Sequence, residues 1–335
     1  MPVAFARQPD PALVADVPGH EPGFAPARPA KPTVTLDDFA AGCALRGVDR
    51  AEQRLHSSGL HLWCRAMSKL TDPARLTLTR ARAQADGMFL QEEAAFEVQD
   101  RLEEVNRTFT APAVVTGFPA IWRKFFPDAV IVPDDEVLTL EPGAHDLVIH
   151  GLSLHWSNDP VGQLIQCHKA LKPDGFFMGV MFGGETLREL RAAITAAEIA
   201  QTGGLSPRML PMGELRDLGG LLQRAGFALP VADSSLRDVS YSDALALMRD
   251  LRKMGEGNAL ATRAGFTPRG VFAETAARYA SDADEAGRIH ATFELVFLAG
   301  WAPHESQQKP LRPGSAEARL ADALNTDETK LNDKP

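Results

Sequence analysis

The stretch "HDLVIHGLSLHWSNDPVGQLIQCHKALKPDGFFMGVMF", residues 145–182, decides the fold. It opens and closes on two apolar runs, DLVIHG at 146–151 and FFMGVMF at 176–182, and neither alternates with polar residues. A strand with one solvated face must alternate, so unbroken runs mark parallel strands buried on both faces. Between them, Asp159 and Pro160 supply an N-cap and a first helical residue. Val161, Leu164, Ile165, His168 and Leu171 then recur along one helical face. KPDG at 172–175 is a turn in which proline presets φ and Gly175 tolerates positive φ. Strand, crossover helix and strand form a βαβ unit, and the fold class that follows is α/β with a doubly wound, Rossmann-like sheet.

The alternation continues outward in both directions. Upstream lie strands at 113–116 and 129–132, an acidic helix at 90–106 with Ala94, Phe96, Val98 and Leu102 as its apolar positions, and a helix start at Asp72 and Pro73. Downstream lie a strand at 227–231 and a longer one at 291–301, whose alternation suits an antiparallel edge strand. The sheet is therefore expected to have six strands, the last antiparallel. Residues 1–32 hold eight of the 24 prolines and almost no periodicity. Such a segment buries too little to offset its ordering entropy. Residues 1–66 are accordingly expected to be a disordered, dispensable extension, 67–302 the domain, and 303–335 an extended polar tail.

A hydrophobic content of 44% with 24% charged residues is that of a globular protein. The net charge of −9 argues against nucleic acid as a partner, because phosphates require a cationic face. Cys43, Cys64 and Cys167 have no metal-ligand spacing, which implies a reduced, cytoplasmic-type compartment and no bound metal. No apolar run approaches the roughly 20 residues that span a bilayer, so no stable membrane insertion is expected.

Ligands of open α/β sheets bind beyond the carboxyl ends of the strands. After the first strand, "PAVVTGFPAIWRKFF" at 112–126 offers a single glycine, Gly117, followed by Phe118 and Pro119. After the second come Asp134 and Asp135, which suit ribose hydroxyls or an adenine amine, or else a solvated acidic turn. The loop after DLVIHG carries Ser153, His155, Trp156 and Asn158. His155 is the candidate acid or base and Trp156 a flat face for a ring or cation, whereas His150 lies within the strand as a core residue. After FFMGVMF, Glu185 either projects toward the same edge or only favours the helix dipole, and Thr186 with Glu189 spells a capping box. No nucleophile elbow, Walker loop, metal cluster or flavin signature occurs.

From Asp146 to Asp159, then KPDG, then FGGETL at 182–187, the chain resembles the class I S-adenosylmethionine-dependent methyltransferases. It is most similar to the group containing the methyltransferase-fold complex I assembly factor, and more distantly to the biotin-pathway malonyl-carrier-protein methyltransferases. GGLSPRMLPMGELRDLGGLLQRAGF at 203–227, MRDLRKMGEGNA at 248–259 and GWAPHESQQKP at 300–310 extend the likeness. The resemblance implies S-adenosylmethionine as cofactor, with Gly117, Asp134, Asp135, Gly151 and Leu152 on its side of the site. It places Ser153, His155, Trp156 and Glu185 on the substrate side. Asp146 follows Gly117 by only 29 positions, too few for the family's full complement, so one strand–helix unit is missing. The ribose carboxylate and the glycine pair of the first motif are missing with it. Losing that carboxylate removes about 1.5–3 kcal/mol of charge-assisted hydrogen bonding. Phe118 and Pro119 in place of glycines block close backbone approach. Two readings follow from the resemblance. One is a methyltransferase-family enzyme of unknown acceptor, linked to complex I assembly, a process in which a relative is associated with arginine hydroxylation. The other is a non-catalytic pseudo-methyltransferase that holds a protein client from the respiratory complex.

Overall fold

The computed structural model describes residues 69–262 and 265–308. The expected extension at 1–66, and the expected tail from residue 309 onward, lie outside the described residues.

Six strands form one sheet: β1 Pro112–Thr116, β2 Val130–Val132, β3 His145–Gly151, β4 Leu171–Phe182, β5 Ala228–Tyr241 and β6 Ile289–Trp301, in the order β2-β1-β3-β4-β6-β5. β2, β1, β3 and β4 run parallel, and β6 is antiparallel to both β4 and β5. The register sets Val114 beside Ile149 and Ile149 beside Met178, making a continuous apolar row across the centre. β2 bonds directly to β1, so the sheet closes over the missing unit without a gap.

Eight α-helices accompany the sheet among the described residues: α1 Pro73–Arg80, α2 Phe89–Glu104, α3 Pro119–Phe125, α4 Pro160–Ala170, α5 Arg188–Thr202, α6 Leu215–Ala225, α7 Ala244–Lys253 and α8 Arg269–Ala280. One face of the sheet buries Val114, Leu147, Ile149, Met178 and Val180 against α2, α3, α5 and α7. The other buries Ala113, Val115, Val148 and Phe177 against α4 and α6. Successive residues of β3 therefore enter opposite cores, which is why its sequence cannot alternate. Each such Val, Ile or Leu taken out of water contributes about 1.5–3 kcal/mol. Arg237 ties β5 to Glu93 and Glu97 of α2, and Arg101 ties the same helix to Asp233 at 2.7 Å.

Five local expectations are revised. β6, expected as an antiparallel edge strand, lies inside the sheet between β4 and β5 and is buried on both faces, so β5 is the edge. β5 runs to Tyr241 rather than ending at 231, because an edge strand bonded on one side only can alternate polar residues through DSSLRDVS. In the KPDG turn the positive φ falls on Asp174, at 61°, while the bare Cα of Gly175 admits the Lys172 carbonyl. Phe96 of α2 is exposed, and Ala95 takes its place in the core. The capping box at Thr186 does not form. The Thr186 hydroxyl instead pairs with the backbone of Glu294 on β6, and Glu189 accepts from Thr292 Oγ1 at 2.6 Å. Leu187 becomes the N-cap at φ 56°.

Candidate functional site

The segment leading into α1 lies against the loop after β3. Thr71 fixes it there, donating its hydroxyl to Trp156 O at 2.8 Å and its N–H to Asn158 Oδ1 at 2.9 Å. Asn158 returns a bond to Thr71 O, and the Asp72 carboxylate caps α1 through the Arg75 N–H. Held this way, α1 carries its last residue, Arg80, over Gly117.

The Arg80 guanidinium grips both oxygens of Asp134, at 2.7 and 2.8 Å, and both side chains are nearly buried. A Cβ at Gly117 would lie 2.3 Å from Arg80 Cζ. Gly117 thus makes room for an arginine of the same chain. Burial alone would raise the Asp134 carboxyl, but the Arg80 hydrogen bonds and charge outweigh it and hold the group below the ordinary carboxylate value.

Behind this pair, His150 is completely buried, with Nε2 3.0 Å from Gln163 Oε1. The Gln163 amide donates to the carbonyls of Asp134 and Asp135, so its oxygen faces the ring and His150 carries its proton on Nε2. Burial lowers the His150 pKa to about 4 against the pull of Asp134, leaving the imidazole neutral at pH 7. Ser153 is buried beside it, its hydroxyl 3.5 Å from Nδ1.

The second glycine surface is covered as well. Trp122 of α3 lies fully buried over Gly151, where a Cβ would sit 2.4 Å from indole Cε2, and its Nε1 donates to Gln91 at 3.0 Å. Leu152, at φ 43°, is buried and bonded to Val180 O. A sulfonium nucleoside needs open backbone at these two glycines and carboxylate oxygens left free for its ribose hydroxyls or adenine amine. Here both surfaces are filled by side chains of the chain itself, and Asp134 gives its two oxygens to Arg80. The residues present do not fit that cofactor.

The substrate side is organised by a residue absent from the sequence-based list. Glu256, just beyond α7, accepts from Trp156 Nε1 at 2.8 Å and lies 3.4 Å from His155 Nε2. His155 is buried between the rings of Trp156 and Phe182, at 5.6 and 4.9 Å, and its Nδ1 has no partner among the described residues. Trp156 and Glu256, but not His155, line a cavity of about 410 Å³ bounded by α1, α5, α7 and α8. Glu185 stays outside it, half-exposed and paired with Arg188, while Thr186 and Leu187 face the cavity instead. Asp135 is exposed and offers only its carbonyl.

Gly117, Asp134 and His150 thus converge, as do His155 and Trp156, whereas Glu185 and Asp135 join neither group. Arg80, Trp122 and Glu256 escaped the reading of strand ends because they belong to helices or to the segment after one. Glu256 does lie within MRDLRKMGEGNA, the one signal that could have found it. Among the described residues no cluster of His, Cys, Asp or Glu could hold a metal ion, and no helix is long and apolar enough to cross a membrane.

The strand order, the antiparallel last strand and a site at the parallel strands' carboxyl ends define the methyltransferase class of Rossmann-like folds. The chain is 35% identical over 308 residues to the arginine-hydroxylase NDUFAF5, mitochondrial, of Danio rerio, covering 83% of this chain and 95% of that one. It belongs to the NDUFAF5 family. The human protein of that name is 41% identical over 215 residues, covering 64% of this chain and 62% of its own length. The malonyl-[acyl-carrier protein] O-methyltransferase of Laribacter hongkongensis is 34% identical over 187 residues, or 56% and 61% of the two chains. Among solved structures, phosphoethanolamine N-methyltransferase 2 of Haemonchus contortus, in complex with S-adenosyl-L-methionine, shares 13% identity at a TM-score of 0.32, covering 61% of this chain and 51% of its own. No family model matches the chain.

Proposed function

We propose that the chain is a methyltransferase-fold assembly factor that works without S-adenosylmethionine and holds a protein client from the respiratory complex. The observation that carries this reading is the Arg80 guanidinium, seated over Gly117 and bonded to both oxygens of Asp134. Methyl transfer would require Arg80 and Trp122 to vacate both glycine surfaces, breaking a buried ion pair and exposing an indole. The relatives' name, arginine hydroxylase, supports an arginine-bearing protein as the client, and the resemblance to a complex I assembly factor supports a respiratory-complex subunit. We place this action in a reducing, cytoplasmic-type compartment, in keeping with the free thiol of Cys167.

Thermal unfolding with millimolar S-adenosylmethionine tests the reading, with a malonyl-carrier-protein methyltransferase as positive control. A ligand at 100 times its Kd stabilises by about 2.7 kcal/mol, which raises Tm by roughly 5–11 °C in a domain of this size. The expected shift is under about 1 °C; a rise of several degrees overturns the proposal.

A further inference from the structure

The cavity beside Trp156 has an apolar interior and a cationic mouth. Leu190, Met209, Met212, Met248, Phe272 and Phe293 supply the interior. The three methionines give it an adaptable wall, suited to a flexible chain rather than a rigid ring. Its volume of about 410 Å³ lies in the range of small-molecule sites.

Four arginines reach this space: Arg75, Arg82, Arg208 and Arg252. Arg208 is committed to Glu198, which accepts from it at 2.5 and 3.0 Å, and to Thr267. The other three make no ion pair with a described carboxylate. Arg82 and Arg252 are exposed and so mark the solvent boundary, while Arg75 is half-buried and donates Nε to Asn258 O. The one acid lining the cavity, Glu256, keeps its charge while accepting the Trp156 indole N–H, and one carboxylate against three guanidiniums leaves a positive excess. Unpaired guanidiniums around an apolar hollow are matched by a ligand that brings its own negative charge at one end.

We propose that this cavity binds an anionic amphiphile, an unbranched fatty-acid-type chain inserted among the methionines with its carboxylate at Arg75, Arg82 and Arg252. The site is independent of the cofactor question, since neither Arg80 nor Trp122 lines it.

Titration of the full chain with decanoate, decan-1-ol and decyltrimethylammonium, each below its micelle concentration, tests the proposal by calorimetry and intrinsic tryptophan fluorescence. Decanoate is expected to bind at least about tenfold more tightly than the alcohol, and the cation most weakly, because only the anion completes the charge pairing. The Arg82→Gln, Arg252→Gln double variant should lose about tenfold toward decanoate and nothing toward decanol. Leu190→Trp, which fills the interior, should abolish both. Equal affinity for acid and alcohol, tighter binding of the cation, no binding of any probe, or decanoate binding untouched by Leu190→Trp would each overturn the assignment. The three-probe comparison uses the unaltered protein, so it stands even where a variant fails to fold.

Discussion

Arg80 and Asp134 illustrate how much one residue can redirect a site. Removing one member of a buried ion pair strands the other's charge, at a cost of about 3–5 kcal/mol. Arg80→Ala is therefore expected to lower unfolding stability by that amount in urea titration, whereas Arg80→Met combined with Asp134→Leu should recover most of it. His150 makes a second prediction. Its pKa falls to about 4 in the folded state from an ordinary 6.5, so the unfolded chain binds the extra proton first. The associated stability is complete above pH 6.5, drains away as pH falls toward 4, and amounts to about 3 kcal/mol. His150→Gln keeps a donor for Gln163 and should flatten the urea midpoint between pH 7 and 4.5; an unchanged slope would point to another group. Gly151→Ala places a methyl against the fully buried Trp122 indole and should cost about 1–3 kcal/mol of overpacking, measured the same way. At this scale the sequence was partly legible. A lone glycine before Phe118 already signalled a blocked nucleotide loop, and His155 with Trp156 stood at a strand end where ligands gather. What lay over Gly117 was not legible, because Arg80 arrives from a separate helix and no local pattern encodes so distant a contact. Glu185 misled because the turn after β4 is organised from across the sheet, by Glu294 receiving its backbone N–H.

Among the elements, α1 is the one whose placement matters most and whose anchoring is thinnest. Its entry depends on the reciprocal bonds between Thr71 and Asn158, on the Asp72 N–H to Ala259 O, and on Arg80 at its far end. Asn158→Ala should therefore raise hydrogen exchange across residues 71–82 while β3 and β4 keep their protection; uniform loss throughout the sheet would contradict this account. The helix start at Asp72 and Pro73 was readable from capping chemistry alone. β5 was cut short in the reading because its polar alternation resembles a loop until β6 is known to lie beside it.

For the whole molecule, the parallel sheet was legible because burial on both faces leaves a compositional mark that no loop or surface helix imitates. Both core clusters close within the described residues. A chain beginning at Met67 is thus expected to unfold cooperatively at an unchanged midpoint in calorimetry, and a large drop would show that residues 1–66 add to the core. The division of labour, a sealed nucleotide half beside an open cavity, was not legible, because it depends on which side chains fill which hollow.

One border of the sheet has a further consequence. β5 has no neighbouring strand on its outer side among the described residues, and a bare 14-residue ribbon is an invitation to fibril growth. Pro230 withholds a hydrogen there, the irregular register between Ala228 and Val231 bends the ribbon, and Asp233, Arg237 and Asp238 stud it with charge. Copies of this chain are thereby discouraged from zipping together along this border, which keeps the open flank of the sheet from seeding aggregates.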